Sequence, residues 1–113
     1  MKNFAFTING ASVHSSETFE IKNPATGESL GHAPISSADQ VAQAIASAKA
    51  AQPAWAAKSD EERKALLMKV AGVLQENKEY LAQWITKEQG KPMAGPGAMF
   101  EMEACIGWTQ VPA

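Results

Sequence analysis

The chain has 113 residues, with ten basic and twelve acidic side chains and a formal net charge of −2. This balance excludes the cationic field that nucleic-acid binding needs, and the sequence has no apolar run of about 18 residues that could span a membrane. The single cysteine, Cys105, cannot form an internal disulfide, and the first residues are too polar for a signal peptide. We therefore expect a cytoplasmic protein.

Residues that build a hydrophobic core are scarce. Alanine supplies 21 residues, whereas Leu, Ile, Val and Phe together supply 20. Because small side chains bury little apolar area, each alanine contributes little to stability. The composition predicts a helix-prone chain with limited core-forming material.

The first third of the chain has the pattern of short strands. Large and small residues alternate over residues 4–8, and Asn9–Gly10 then marks a tight turn. A second alternating stretch ends at the turn over 23–28, and a third short strand is expected over 29–33. Residues 4–35 are therefore predicted to form a small antiparallel sheet, one hairpin with an extra strand.

A helical period begins at Ser37, which forms a capping box with Gln40. We expect this first helix to stop near Ala51, because Pro53 disfavours helical geometry in the residue before it. The predicted apolar stripe of this helix consists of Ala38, Val41, Ala42, Ile45 and Ala48.

Two further helices are predicted between Ser59 and Gly90. Ser59 and Glu62 form a second capping box, Asn77 interrupts the helix and is a candidate cap for the next one, and Gly90 is a stop signal. The predicted buried face of the second helix consists of Leu66, Leu67, Val70, Val73 and Leu74. The third helix carries Leu81, Trp84, Ile85 and Glu88 on one side.

A last helix is expected to open at Pro96 and to run through Trp108. Its inward residues are Met99, Met102 and Ile106. The loop over residues 91–97 is the predicted hinge. The fold class is thus α+β, with a β-hairpin region at 4–35 and three to four helices over 37–108, in a single segment.

The chemistry-bearing residues do not assemble a catalytic centre. Cys105 is the strongest nucleophile candidate, but we expect it to be a packing cysteine inside an apolar helix face, where a thiol reacts poorly. His14 and His32 have no acid nearby in sequence that would orient them. Glu101 and Glu103 are two residues apart, so they point to different sides of a helix, as a solvated face or as one ligand completed from elsewhere. We assign no catalytic, cofactor-binding or metal-binding residue.

The glycine-rich and aromatic residues also have plain interpretations. Trp55, Trp84 and Trp108 have no basic groove around them and are expected to be buried packing anchors. Residues 90–92 do not match a phosphate loop, and residues 95–97 lack the third glycine of a dinucleotide fingerprint.

The order of these pieces resembles the opening of an aldehyde dehydrogenase. Ile8–Gly10 and Asn23–Glu28 are similar to the family's first turns. Residues 37–55 resemble its first helix and the tryptophan that follows, residues 62–74 its second helix, and residues 81–92 its third helix with a Gly-Lys-Pro stop. Five pieces in the correct order make a chance match improbable, and the resemblance covers residues 4–92.

The resemblance implies the N-terminal part of the α/β aldehyde dehydrogenase fold. Such an enzyme uses a cysteine thiolate, transfers hydride to NAD or NADP, and hydrolyses a thioester to a carboxylic acid. Its nucleophile, its glutamate base and its dinucleotide-binding sheet come after the matched region, and Cys105 does not lie in the nucleophile motif. The chain is therefore expected to be scaffold, a piece of a longer enzyme that packs on an absent cofactor-binding domain. It is expected to be inactive and without cofactor when alone.

The resemblance also leaves alternatives. The family can hold a structural cation near its Asn-Pro turn, and Ile21, Lys22 and Glu101 are the matching neighbourhood, to which we do not commit. The expected partner is the remainder of the enzyme or a second copy of the chain. The other hypotheses are a stand-alone, non-catalytic helical interaction module and a regulatory subunit derived from this region.

Overall fold

The computed structural model describes residues 3–111, and the chain forms two compact units, Met1–Ala57 and Lys58–Ala113. The division falls inside the predicted helical region, because the first helix belongs to the first unit. The α+β class is confirmed. In chain order the elements are β1 (Phe6–Ile8), β2 (Ala11–Val13), β3 (Thr18–Lys22), β4 (Ser29–Pro34), α1 (Ala38–Ala56), α2 (Asp60–Glu76), α3 (Lys78–Gln89) and α4 (Ala98–Gln110).

Strands β1 and β2 form an antiparallel hairpin around the predicted turn. Ile8 lies opposite Ala11 in the register. Asn9 and Gly10 both have positive φ, at 51° and 75°, which is the conformation that a two-residue hairpin turn requires. The Asn-Gly signal therefore fixes the register of this hairpin.

Strands β3 and β4 form a second antiparallel pair, and the two hairpins are separate two-stranded sheets. The prediction of one sheet with an extra strand was wrong. The reason lies in the connection, where the amide of Ile35 donates to the carbonyl of Glu17 at 2.8 Å and the hydroxyl of Ser15 donates to the carbonyl of Ile35. The segment after β2 thus pairs with the end of β4, and β2 does not pair with β3.

Helix α1 has the predicted start but not the predicted end. The hydroxyl of Ser37 accepts from the amide of Gln40 at 3.2 Å, and the side-chain oxygen of Gln40 accepts from the amide of Ser37 at 3.0 Å. The helix continues through Pro53 to Ala56, so the expected stop near Ala51 was wrong. Proline has a helical φ although it lacks the N–H, and here its own carbonyl accepts from the amide of Ala57 at 3.0 Å, which completes the last turn.

The boundaries of α2 and α3 follow the local signals. The Ser59–Glu62 capping box is formed, and Asn77 separates the two helices. The prediction of Asn77 as a cap of α3 was wrong, since its side chain makes no capping hydrogen bond. Its Nδ2 donates backwards to the carbonyl of Val73 at 2.8 Å. Gly90 ends α3 with φ at 69°.

The core of the second unit is built mainly from small side chains. Ala82, Ala98 and Met102 form its buried cluster, with half-buried Leu74, Leu81, Ile85, Met93 and Met99 around it. Helix α2 packs on α4, and Ala71 is its buried residue. The predicted burial of Met102 and Ile106 on α4 is confirmed.

The predicted apolar faces of α1 and α2 are largely uncovered. Val70 and Val73 are 50% and 59% exposed, and on α1 Val41 and Ile45 are 44% and 63% exposed. The predicted burial of the α2 face was therefore wrong at Val70 and Val73, because periodicity identifies an apolar face but not whether a neighbouring element covers it. Among the described helices, none is long and apolar enough to cross a membrane.

Candidate functional site

Cys105 lies on α4 and lines a groove of the second unit that is about 650 Å³ in volume. The expectation of a buried packing cysteine was wrong, because the thiol residue is exposed. Helix α4 buries Ala98, Met102 and Ile106, which are four residues apart, and this narrow stripe leaves Cys105 at its edge. The groove is lined by Ile85, Phe100, Glu101, Met102, Ala104, Cys105, Trp108 and Thr109.

The two carboxylates of α4 are each held by a different lysine. Glu101, which lines the groove, pairs with Lys91, and the carboxylate of Glu103 lies 2.9 Å from the Nζ of Lys78. They point to different sides of the helix, as predicted. Both carboxylates therefore work as ion-pair partners that tie α4 to its neighbours.

The two histidines belong to the first unit and contribute backbone contacts. The carbonyl of His14 accepts from the Nε2 of Gln40 at 2.9 Å, and the carbonyl of His32 accepts from the amide of Phe4 at 3.0 Å. These contacts hold the connections around the hairpins. They give both histidine positions a structural role.

Of the residues that the resemblance places near a structural cation, Lys22 forms a local ion pair. The Nζ of Lys22 lies 3.2 Å from a carboxylate oxygen of Glu20. The hydrogen bond from Ser29, and then the one from Lys22, lower the pKa of Glu20 below its ordinary value. Ile21 lies between them on β3, and Glu101 is paired in the second unit. Within residues 3–111, no three His, Cys, Asp or Glu side chains are grouped so that they could hold a metal ion.

The tryptophans differ from the predicted buried anchors. Trp108 is 75% exposed and Trp55 is 41% exposed, so both predictions were wrong. Trp84 is half-buried and meets Tyr80 edge to face, with ring centroids 6.4 Å apart, while the Nζ of Lys87 lies 5.6 Å from its ring centre. Exposure of Trp108 follows from the same narrow buried stripe on α4.

The helix N-termini of this chain are poor sites for a phosphate group. Helices α1 and α2 use Ser37 and Ser59 as caps and carry acids in their first turns. Helix α3 has Glu79 in its first turn. Since amide donors and a positive potential are what attract a pyrophosphate, filled caps and nearby carboxylates oppose its binding.

The first two backbone amides of α4 already donate to carbonyls of the loop before it. The amide of Ala98 donates to the carbonyl of Pro92 at 2.7 Å, and the amide of Met99 donates to the carbonyl of Met93 at 3.2 Å. Gly97 is buried in this loop, and a Cβ there would overlap the carbonyl oxygens of Pro92 and Ala94. Sequence reasoning missed this role of Gly97, although the Gly-Pro-Gly run was a signal; the role of the loop as a hinge stays a prediction.

Comparison with known proteins connects this arrangement to one family. A 3-sulfolactaldehyde dehydrogenase from Pseudomonas putida is 41% identical over 83 residues, which are 74% of this chain and 17% of that protein. The structure of an NADP-dependent glyceraldehyde-3-phosphate dehydrogenase from Bacillus halodurans C-125, complexed with NADP, matches with a TM-score of 0.91 at 33% identity, over 98% of this chain and 23% of that one. An NAD-dependent aldehyde dehydrogenase from Sinorhizobium meliloti matches with a TM-score of 0.89 at 32% identity, over 97% of this chain and 22% of that one.

These matches confirm the resemblance that the turns and helices carry in the sequence. The chain spans about a fifth of the length of the relatives it matches. The model of the aldehyde dehydrogenase family covers residues 12–111, and the chain belongs to this family.

Proposed function

We propose that this chain is the N-terminal scaffold segment of an NAD(P)-dependent aldehyde dehydrogenase, which converts an aldehyde to a carboxylic acid through a cysteine thioester. The observation that carries the proposal is the match of 97–98% of this chain to 22–23% of two solved dehydrogenases, at TM-scores of 0.89 and 0.91. Nearly the whole chain then serves as one part of a larger enzyme. The remaining part supplies the nucleophile, the base and the cofactor site.

The side chains present support a scaffold role. The capped and acid-bearing helix starts, together with the closed start of α4, do not fit a dinucleotide pyrophosphate. The carboxylate beside Cys105 is engaged by Lys91. We therefore assign no step of aldehyde oxidation to a residue of this chain.

The uncovered apolar faces support the proposal that the chain needs a partner. On α4, Phe100 and Trp108 are 58% and 75% exposed, and on α2 Val73 is 59% exposed. Large exposed apolar patches are usually interfaces. In the enzyme the rest of the protein covers these faces, and the isolated chain covers them by associating with a second copy.

An activity assay tests the proposal that this chain contributes no catalytic residue. The 113-residue chain is incubated with NAD or NADP and a panel of aldehydes, and reduction of the nicotinamide is followed by absorbance. We expect no turnover above background. Turnover that the Cys105→Ala variant abolishes would overturn the scaffold role.

A chimera tests whether the chain can serve as the scaffold segment of an active dehydrogenase. The corresponding segment of the Sinorhizobium meliloti enzyme is replaced by this chain, and the activity of the hybrid is measured. We expect aldehyde oxidation with the KM values of the recipient, because the chain supplies shape and not chemistry. A folded hybrid that binds cofactor but does not turn over would contradict the proposal.

Sedimentation separates the scaffold from the stand-alone alternatives. At micromolar concentration we expect association that increases with protein concentration. A concentration-independent monomer with cooperative unfolding would favour the interaction module. Stable binding to an intact dehydrogenase, with a change in its activity, would favour the regulatory subunit.

A further inference from the structure

The turn between β1 and β2 brings together the groups needed for a covalent self-modification. Asn9 and Gly10 are both exposed. A Cβ built on Gly10 would meet nothing within 4 Å, so no other part of the described chain crowds this side of the residue. Glycine also has no side chain to hinder an attack by its own backbone nitrogen.

We propose that Asn9 is a site of spontaneous deamidation, and that its isoaspartyl product opens the β1–β2 hairpin. The backbone nitrogen of Gly10 attacks Cγ of Asn9, and a C–N bond forms. The bond from Cγ to Nδ2 breaks, and Nδ2 leaves as ammonia with the proton from the Gly10 amide. Water then adds to either carbonyl of the cyclic imide and opens it to an aspartyl or an isoaspartyl residue.

Two of the other three asparagines have a blocked nucleophile. Asn23 precedes Pro24, which has no N–H to lose. Asn3 precedes Phe4, whose amide already donates to the carbonyl of His32 at 3.0 Å. Neither backbone nitrogen is available as it is at Gly10.

The remaining asparagine, Asn77, is held by its side chain. Its Nδ2 donates to the carbonyl of Val73 at 2.8 Å, and the residue sits between two helices. The next residue is Lys78, whose side chain crowds the backbone nitrogen. Within the described residues, Asn9 thus combines an exposed amide with an unhindered neighbour.

The hairpin does not protect the turn strongly. Ring closure requires rotation of the Asn9 backbone away from its turn conformation. Strands β1 and β2 have three residues each, so only a short ladder of backbone pairs holds the turn in place. The rotation needed for ring closure involves Asn9 and Gly10, which are both exposed.

The isoaspartyl product changes the backbone itself. It inserts a methylene group into the main chain, so the two-residue turn that pairs Ile8 with Ala11 is lost. Ile8 is 7% exposed and is the buried hydrophobic side chain of the first unit in the described part of the chain. Loss of the register therefore removes this contact.

The rate of deamidation is measured by ageing the full chain at mildly alkaline pH in heavy-oxygen water, followed by peptide mapping. We expect Asn9 to lose ammonia roughly tenfold faster, or more, than each other asparagine, because glycine leaves the attack unhindered. Asn9→Asp should abolish most ammonia release, and the matched Asn77→Asp variant should not change it. Equal rates at all four positions, or release unchanged by Asn9→Asp, would overturn the proposal.

Hydrogen exchange tests the effect on the hairpin. The isoaspartyl fraction of the aged chain is separated and compared with fresh wild-type chain and with fresh Asn9→Asp, whose backbone has normal length. We expect lost protection over residues 6–13 in the isoaspartyl fraction alone. Equal protection in that fraction and in the fresh chain would refute the opening of the hairpin.

Discussion

Each of the two units of this chain is stabilised internally by a different kind of contact. In the first unit, turns and side-chain hydrogen bonds fix two short hairpins and a helix, and among its described residues Ile8 is the buried hydrophobic one. In the second unit, three helices meet through Ala71, Ala82 and Ala98 with two larger residues of α4. Small side chains let helices approach closely but bury little area. The comparison teaches that the first unit relies on hydrogen-bonded turns and caps around a buried isoleucine, whereas the second relies on helices that approach closely over alanines.

The largest expected loss of stability is at Gly97, where the second unit has no space for a side chain. Gly97→Ala places a methyl group against the carbonyl oxygens of Pro92 and Ala94. We expect a loss of about 3 kcal/mol in the free energy of unfolding, because the atoms in the way are backbone. Urea unfolding measures it, and hydrogen exchange should place the loss in α4.

Gly107→Ala is the matched control on the same helix. A Cβ at Gly107 would meet nothing within 4 Å. Because alanine favours a helix over glycine, this variant should gain about 0.5–1 kcal/mol. Equal losses in both variants would show that the tight loop is not what holds α4.

The next effect is expected in the first unit. Ile8→Ala removes its buried apolar side chain, and we expect a loss of about 2 kcal/mol. The exposed Ile45, on α1, is the control, and Ile45→Ala should change stability little. Hydrogen exchange should show the loss over residues 3–57 and not in the second unit; a loss spread over both would contradict their separate stabilisation.

The helix caps are expected to give a smaller and equal loss in the two units. Ser37→Ala and Ser59→Ala each remove a hydroxyl that accepts from a backbone amide at 3.2 Å. Each should cost about 1 kcal/mol. Thermal unfolding of the two variants compares them, and a cost confined to one helix would show that the other cap is redundant.

The smallest expected effect is a difference between the two capping boxes in how their stability depends on pH. The amide of Ser59 donates to the carboxylate of Glu62 and lowers its pKa below the ordinary value. A lowered folded-state pKa means that this stabilisation is present above the unfolded-state pKa and is lost as the pH falls through the folded-state pKa. The corresponding residue of α1 is Gln40, which does not titrate.

We therefore expect acid to weaken the start of α2 more than that of α1, whose capping box has no titrating side chain. Hydrogen exchange of the first turns, measured across the acid range, tests this difference. Glu62→Gln should reduce the pH dependence at α2, and Asp60 and Glu61 account for what is left. A pH dependence as large as in the unchanged chain would show that Glu62 is not the group responsible.

Local signals predicted the Asn-Gly turn and both Ser-initiated capping boxes, whereas burial was predicted correctly at Met102 and Ile106 but not at Cys105 or Val73. Asn9–Gly10 and both capping boxes depend on neighbours within a few residues, so the sequence contains the whole interaction. The exposure of Cys105 depends on which side of α4 the other helices cover. The same holds for Val73 on α2. At Gly97 the decisive contact is a close approach of backbone, which no side-chain pattern reports.

The amide group of Gln40 makes two hydrogen bonds, one as an acceptor and one as a donor. Its oxygen accepts from the amide of Ser37, and its nitrogen donates to the carbonyl of His14. Glutamate and glutamine are usually interchangeable at this position of a capping box. Here glutamate would keep the cap but present an oxygen to the His14 carbonyl, where two acceptors repel. The joint between the first hairpin and the helix thus restricts this position to glutamine, a choice that the helix alone would not impose.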